Sequence, residues 1–340
     1  MGNTEPSERR YVNTASRARY RSLDVREIEE FDSIVDLNHE FFATSRFTLP
    51  SNGNVVGEVK VVRSRYEDTL YDIARRYDLG IKELADANPD VDRWVPGQGT
   101  RVVLPTRFIL PNAPRTGLVL NIASKRLFYY PDKGSSEEPV VITHPVGIGR
   151  VGWSTPTGST KVIRKDKDPS WHVPKSVLEE HIENGDPLPN VVPPGPENPL
   201  GKHVLRLGMP GYLIHGTNKP DGVGMRVSHG CVRLYPEDIE FLYENVPLGA
   251  QVTIINQPYL VGWLGNDIYI EAHTPLEDDE RDLQAEIESQ LYEASRNRQI
   301  PTHAIDWEKV TRVTQEARGL PVPVTKGSPE TEMLAANATP

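Results

Sequence analysis

The chain has 340 residues, of which 37% are hydrophobic and 25% charged, enough apolar material for two or more packed domains and too much for a disordered polymer. Its 38 Lys and Arg against 48 Asp and Glu give a net charge of -10, which argues against nucleic acid and other polyphosphates as partners. The single cysteine, Cys231, excludes an internal disulfide and any zinc site built from several thiolates; what remains is a buried structural thiol or a reactive one. No apolar run approaches the roughly 18 residues of a transmembrane segment, and the N-terminal stretch shows no apolar secretory leader.

Residues 1–54 carry scattered arginines (Arg9, Arg10, Arg17, Arg19, Arg21) without periodicity and are expected to form a flexible arm. From Val55 a different pattern begins. Val59 to Val62 and Arg101 to Leu104 read as short strands enclosing two helical patterns. In the first, Asp68 is the expected N-cap, Leu70, Ile73, Ala74 and Tyr77 share one face, and Gly80 is the stop. Ile81, Leu84 and Ala85 start the second, which Asn88-Pro89 ends. Residues 55–106 are thus expected to be a β-α-α-β unit. Within it, Glu67-Asp68-Thr69-Leu70, Ile73-Ala74, Leu84, Asn88-Pro89, Pro96-Gly97 and Val103-Leu104-Pro105 resemble a LysM repeat, with Glu67 where a Gly is usual. The resemblance implies binding to the N-acetylglucosamine-containing glycan strands of peptidoglycan or chitin. In that role the module supplies local concentration, so removing residues 1–106 is expected to spare turnover of small soluble substrates.

From Leu118 the pattern is β. Leu118 to Ile122, Arg126 to Tyr130, Val140 to Val146, Lys161 to Ile163, His203 to Leu207, Tyr212 to Ile214 and Gln251 to Ile255 are short segments rich in branched and aromatic residues. Residues 115–257 are therefore expected to be a mainly β domain with a few helices, a sandwich or partly closed barrel. One helix is well marked: Pro236 at its first position, Glu237 and Asp238 in its first turn, and Ile239, Leu242, Tyr243 and Val246 on one face. Asp166 to Gly201 reads as a long functional or mobile loop with a helical turn around Val177 to Ile182. Residues 258–340 are expected to hold a hairpin (Leu260 to Trp263, Ile268 to Glu271), an acidic segment at Glu277 to Glu288 read as a solvated helix, and a disordered tail over the last 20 residues.

Gly147-Ile148-Gly149-Arg150-Val151-Gly152 matches a dinucleotide-binding fingerprint, but Trp153-Ser154-Thr155-Pro156 cannot open the helix that such a site requires, so a strand and turn are expected. The histidines show no metal-ligand spacing, and no metal or cofactor is expected. The chemistry-bearing run is Ile214-His215-Gly216-Thr217 followed by Ser228-His229-Gly230-Cys231-Val232-Arg233. A thiol needs a base to become a nucleophile near neutral pH, and imidazole suits that role. Arg233, two residues beyond Cys231, falls on the same face of an extended segment, where its charge would lower the thiol pKa and hold a carboxylate. Taken singly these residues are unremarkable: a lone cysteine is commonly core, His215 ends an apolar run, and arginines often pair at the surface.

Together they resemble the YkuD-type L,D-transpeptidases of the ErfK/YbiS-like branch, in which an upstream His is followed after a spacer by Ser/Thr-His-Gly-Cys. Gly149, Thr155-Pro156-Thr157-Gly158, Trp171 and Pro174 match further blocks. The resemblance implies that Cys231 attacks the carbonyl joining the L-centre of meso-diaminopimelate to the fourth-position D-Ala of a peptidoglycan stem. His215 is implied as base and then acid, Ser228, His229 and Arg233 as supporting groups, and the Gly230 and Cys231 amides as oxyanion donors. Gly216 stands where some members have a Ser, so a backbone carbonyl is expected to orient His215. The implied acceptors are a second stem peptide, the C-terminal Lys of an outer-membrane lipoprotein, or, for a carboxypeptidase, water. The reading outside catalysis is a wall-binding protein with a structural cysteine. The substrate implies the periplasm or cell envelope.

Overall fold

The computed structural model describes residues 45–132 and 138–329. Most of the expected arm (residues 1–44) and the end of the expected tail (330–340) lie outside them. The arm was expected to run to residue 54, yet Phe47 and Leu49 already belong to the fold. Strand β1 (Arg46–Thr48) pairs antiparallel with the edge of the main sheet, Phe47 opposite Val141. Phe47 also packs edge-on against Phe108 at 5.9 Å, so the apolar alternation in Arg46-Phe47-Thr48-Leu49 outweighs the polar residues around it.

The next elements are β2 (Val55–Gly57), β3 (Lys60–Arg63), α1 (Leu70–Arg76), α2 (Ile81–Ala87), β4 (Arg101–Leu104) and β5 (Arg107–Ile109). β3 and β4 pair antiparallel around the two helices, and β2 pairs with β5. The N-cap of α1 is Thr69 rather than Asp68. Thr69 Oγ1 accepts from the Asp72 N–H at 3.1 Å and the Asp72 carboxylate accepts from the Thr69 N–H at 2.9 Å, a capping box. Asp68 instead accepts from the Arg65 N–H and pairs with Arg76. Gly80 is not the stop of α1, which ends at Tyr77; Gly80 opens α2. There a Cβ would sit 2.8 Å from the Cα of Gly224, so the chain meets its neighbour backbone to backbone. Asn88 ends α2 and ties it to β4 through three hydrogen bonds to Leu84 and Val103, all 2.7–2.8 Å.

The following domain contains β6 (Gly117–Asn121), β7 (Arg126–Tyr130), β8 (Val140–Pro145), β9 (Ile148–Gly149), β10 (Gly158–Lys167), β11 (Trp171–His172), α3 (Lys175–Glu183), β12 (Val191–Val192), β13 (His203–Leu207), β14 (Leu213–His215), β15 (Arg226–Ser228), β16 (Val232–Arg233), α4 (Pro236–Asn245) and β17 (Gln251–Ile255). Nine strands form one sheet in the order β1-β8-β7-β6-β17-β10-β13-β14-β16. Its pairs are antiparallel except β6 with β17 and β14 with β16. β10 gives its first half to β17 and its second half to β13, with a register shift between Val162 and Arg164, and this break curls the sheet.

The sheet is covered on both faces. Leu118, Leu120, Leu127, Tyr129 and Ile142 pack with Ile239 and Leu242 of α4. Their neighbours Val119, Phe128, Tyr130 and Val141 point the other way and pack with Leu70, Ile73, Leu79 and Leu84 of the helical unit. That unit is therefore a layer of the core. Polar contacts cross the same boundary: Arg126 is buried between Phe108 at 4.4 Å and Glu83 at 2.8 Å, and the Tyr235 hydroxyl donates to the Leu79 carbonyl at 3.1 Å.

Beyond the sheet, β18 (Tyr259–Leu264) and β19 (Asp267–Ala272) form the expected hairpin. It carries α5 (Leu283–Arg298), α6 (Trp307–Glu316) and β20 (Val322–Pro323), which pairs with β19. The acidic segment is helical only from Leu283, after Asp282 caps it, and Ile287, Leu291 and Ala294 bury one face rather than leaving the helix solvated. Residues 321–329 likewise depart from the expected tail, because Val322 and Val324 complete a core with Ile268, Ile270, Val310 and Val313. Among the described residues, no helix is long and apolar enough to cross a membrane.

Candidate active site

β14 and β16 lie side by side in parallel, Ile214 opposite Val232 and His215 opposite Arg233. Ile214 and Val232 are buried in the core, so strand alternation turns Cys231, His215 and Arg233 to the other side. The turn into Cys231 requires glycine: Gly230 has φ +99°, and a Cβ there would lie 3.0 Å from the Tyr212 ring. Two hydroxyls fix this turn. Thr155 Oγ1 accepts from the Gly149 N–H at 3.0 Å and donates to the Gly230 carbonyl at 2.9 Å, while Ser228 Oγ donates to the Cys231 carbonyl at 2.6 Å. The glycine-rich run that resembled a nucleotide loop is the strand β9, paired with β15, and Gly147 exchanges both backbone hydrogen bonds with Arg233.

The thiol is partly exposed, with Sγ 3.7 Å from the Gly211 carbonyl. Burial pushes its pKa above the ordinary thiol value, opposed by the Leu213 amide and by Arg233. The expected depression by Arg233 is present but outweighed, so the resting group is a thiol. His215 is buried, and its Nδ1–H donates to the Gly216 carbonyl at 2.6 Å, which assigns Nε2 as the unprotonated nitrogen. Burial and the neighbouring Arg233 hold the imidazole down to about 3, hence neutral. His215 and Cys231 share a face of adjoining strands without a direct hydrogen bond between them, among the described residues; the Sγ contact is Gly211.

The Arg233 guanidinium has a buried Nε without a partner and, among the described residues, no carboxylate in ion-pair range. His229 is turned elsewhere. Its Nε2 lies 2.8 Å from Glu180 Oε2 and 3.1 Å from Arg150 Nη2, with the Trp153 ring edge-on at 4.9 Å. Arg150 also pairs with Glu180, so three side chains pin α3 beside the site. Arg150, Trp153 and Glu180 were not singled out as site residues in the sequence; a pairing between Glu180 and His229 carries no local signal, since it exists only once the long loop has folded back.

One His–carboxylate group lies apart from the thiol. His144 Nδ1 is 3.0 Å from Asp78 and 3.2 Å from Asp238, all three buried. The two carboxylates outweigh burial and raise the imidazole to about 10, so it is charged; an imidazolium bridging two acids is not a metal ligand.

Residues 115–254 match the YkuD family, the L,D-transpeptidase catalytic domain, and residues 65–93 match the LysM domain. The chain is 43% identical to the probable L,D-transpeptidase YbiS of Escherichia coli over 68% of this chain and 75% of that one. It is 38% identical to the probable L,D-transpeptidase YcfS of Escherichia coli, over 83% of this chain and 89% of that one. It is 34% identical to the probable L,D-transpeptidase ErfK/SrfK of the same organism, over 86% and 94%. With a thiol and a neutral imidazole on adjoining strands and identity of this extent across both modules, the chain belongs to the L,D-transpeptidase family.

Proposed function

We propose that the protein transfers acyl groups between peptidoglycan stems through a thioester on Cys231. The observation that carries this reading is the joint placement of Cys231 and a neutral His215, whose Nδ1 is held by the Gly216 carbonyl and whose Nε2 is left to accept a proton. As Sγ bonds to the stem carbonyl, the thiol proton passes to Nε2 of His215. The C–N bond to D-Ala then breaks and that proton leaves with the amine. In the second half the acceptor amine gives its proton to His215, bonds to the acyl carbon, and the released sulfur recovers the proton. A neutral pair suits this sequence because no charge is stored before the substrate arrives.

Arg233, with no carboxylate in ion-pair range among the described residues, is suited to a substrate carboxylate. His229, held by Glu180 and Arg150, supports the wall of the site rather than the proton transfer. The Gly230 and Cys231 amides are the proposed oxyanion donors, their carbonyls being fixed by Thr155 and Ser228. The acceptor is a second stem peptide or the terminal Lys of a lipoprotein, and the place of action is the envelope, where those substrates are. Intact-mass measurement of the protein incubated with a tetrapeptide stem tests the reading. The expected product is a covalent acyl adduct at Cys231 that is lost in Cys231→Ala and His215→Ala; an adduct or product that persists in Cys231→Ala would overturn it.

A further inference from the structure

The base of the long loop is closed by one side-chain amide. Asn198 is fully buried, in a run of prolines (Pro193, Pro194, Pro196, Pro199) that offer carbonyls and no N–H groups. Its Nδ2 lies 2.8 Å from the Pro169 carbonyl, 3.1 Å from that of Pro193 and 3.3 Å from that of Val192. Its Oδ1 accepts from the Leu200 N–H at 2.9 Å. The amide thus joins the chain just after β10, the end of β12 and the approach to β13. A buried amide whose donors and acceptor are all engaged is costly to replace, because each partner is left unsatisfied in a dry place.

The segment that this amide fixes lies beside His215. Leu200 and Gly201 pack against Gly216 and Thr217, the two residues that follow the histidine. Gly201 takes φ +68°, and a Cβ there would sit 2.8 Å from the Thr217 nitrogen and 3.1 Å from the Gly216 carbonyl carbon. A Cβ on Gly216 would in turn sit 3.4 Å from the Leu200 oxygen and 3.1 Å from Cγ2 of Ile239. Two glycines therefore let backbone meet backbone. On its other side the Gly216 N–H donates to the His203 carbonyl at 3.2 Å. The Gly216 carbonyl, which accepts from Nδ1 of His215 at 2.6 Å, is held between these contacts, and the Leu200 carbonyl is a second acceptor for the same ring. Position 216 has no side chain to aim the imidazole, and backbone fixed from the loop takes its place.

We infer that Asn198 is a positioning residue for acyl transfer: by fixing the backbone of Leu200 and Gly201 against Gly216, it keeps the Gly216 carbonyl in line with Nδ1 of His215 and leaves Nε2 free to take a proton. The inference rests on the reading of His215 as the base. The experiment follows the His215 ring by NMR of the full chain with isotope-labelled histidine nitrogens, its signals assigned by their loss in His215→Gln, beside the kinetics of Cys231 acylation by a tetrapeptide stem. The unsubstituted chain is expected to show one protonated and one bare ring nitrogen. In Asn198→Ala the two signals are expected to move toward each other as the tautomers mix. Acylation is expected to slow about tenfold in kcat with KM unchanged, the worth of one orienting hydrogen bond. Gly201→Ala keeps Asn198 but forces the backbone away from Gly216, and the same signature is expected from it, so the test stands even if Asn198→Ala does not fold. Asn88→Ala removes another buried, fully bonded amide, between α2 and β4, and is expected to lower stability while leaving the His215 signals unmoved. Signals that stay in place in either folded variant, an unchanged kcat, or an equal shift in Asn88→Ala overturns the inference. Acylation that survives in His215→Gln overturns instead the reading of His215 as the base, whatever the ring signals do in the Asn198 variant.

Discussion

Removing residues 1–106 is expected to abolish folding of the catalytic domain rather than merely weaken attachment to the wall. The truncation uncovers one face of the sheet, including Val119, Phe128, Tyr130 and Val141, which the intact chain buries to 4% exposure or less. At about 1.5–3 kcal/mol per large apolar side chain, four such residues account for roughly 6–12 kcal/mol as an upper estimate. A typical domain is stable by about 5–15 kcal/mol, so the loss is of the order of the whole. The assay is thermal unfolding followed by near-ultraviolet circular dichroism and by binding of a hydrophobic dye, with turnover of a soluble stem measured in parallel. Phe128→Ala in the full chain serves as the graded version, with an expected cost of about 3–5 kcal/mol. A truncated chain that unfolds in one cooperative transition within about 5 °C of the full chain, and still turns over soluble stems, would refute the shared core as an energetic necessity.

Alkylation of Cys231 by iodoacetamide is expected to rise with pH through an inflection above the about 8.5 of a free thiol, and Arg233→Ala to move it higher still; an inflection below neutrality in the unsubstituted protein would contradict the buried-thiol account. Stability is expected to fall as pH rises, because His144 is raised to about 10 and Asp238 to about 8, each above its unfolded value. The folded state then holds more protons: the His144 contribution is complete below about 6.5, the ordinary histidine value, and is lost on the way to about 10. Urea midpoints measured on both sides of that window check the sign, and a midpoint that climbs with pH in the unsubstituted chain would show it wrong. Glu180→Gln is expected to speed amide exchange across α3 while leaving β14 and β16 protected, since the residue ties that helix to Arg150 and His229; unchanged exchange in α3 would mean that the three contacts hold nothing.

What the sequence reveals and what it conceals divide along physical lines. Helix α4 was legible because Pro236, two acids and an apolar face lie within one element, and each is a local device. The paired strands were legible from branched and aromatic runs, and the meeting of His215 with the cysteine segment from the apolar run that ends in His215. Asp68 and Thr69 both suit the cap of α1, and only the Arg76 partner of Asp68 decides for Thr69. The burial of Lys125 and the turning of His229 toward Glu180 depend on surroundings supplied from distant segments, which no window of sequence contains. The raised thiol pKa belongs to the same class: Arg233 was visible as a neighbour, and the greater effect of burial was not.

The position of β17 bears on how the protein is made. It lies between β6 and β10, so the strands that meet the helical unit and the strands that bear Cys231 and His215 are joined through it, with Leu118 opposite Val252. In a chain synthesised from its N-terminus, the whole cysteine motif emerges before this strand exists. Until then β6 and β10 have no common neighbour, the two parts of the sheet meet only where Gly147 and β9 join Arg233 and β15, and the pairing that completes the sheet is among the more distant in the sequence, the kind of contact that forms slowly. The thiol is therefore made before the sheet that carries it is complete, and the last main-sheet strand to take its place, β17, contributes no side chain to the site.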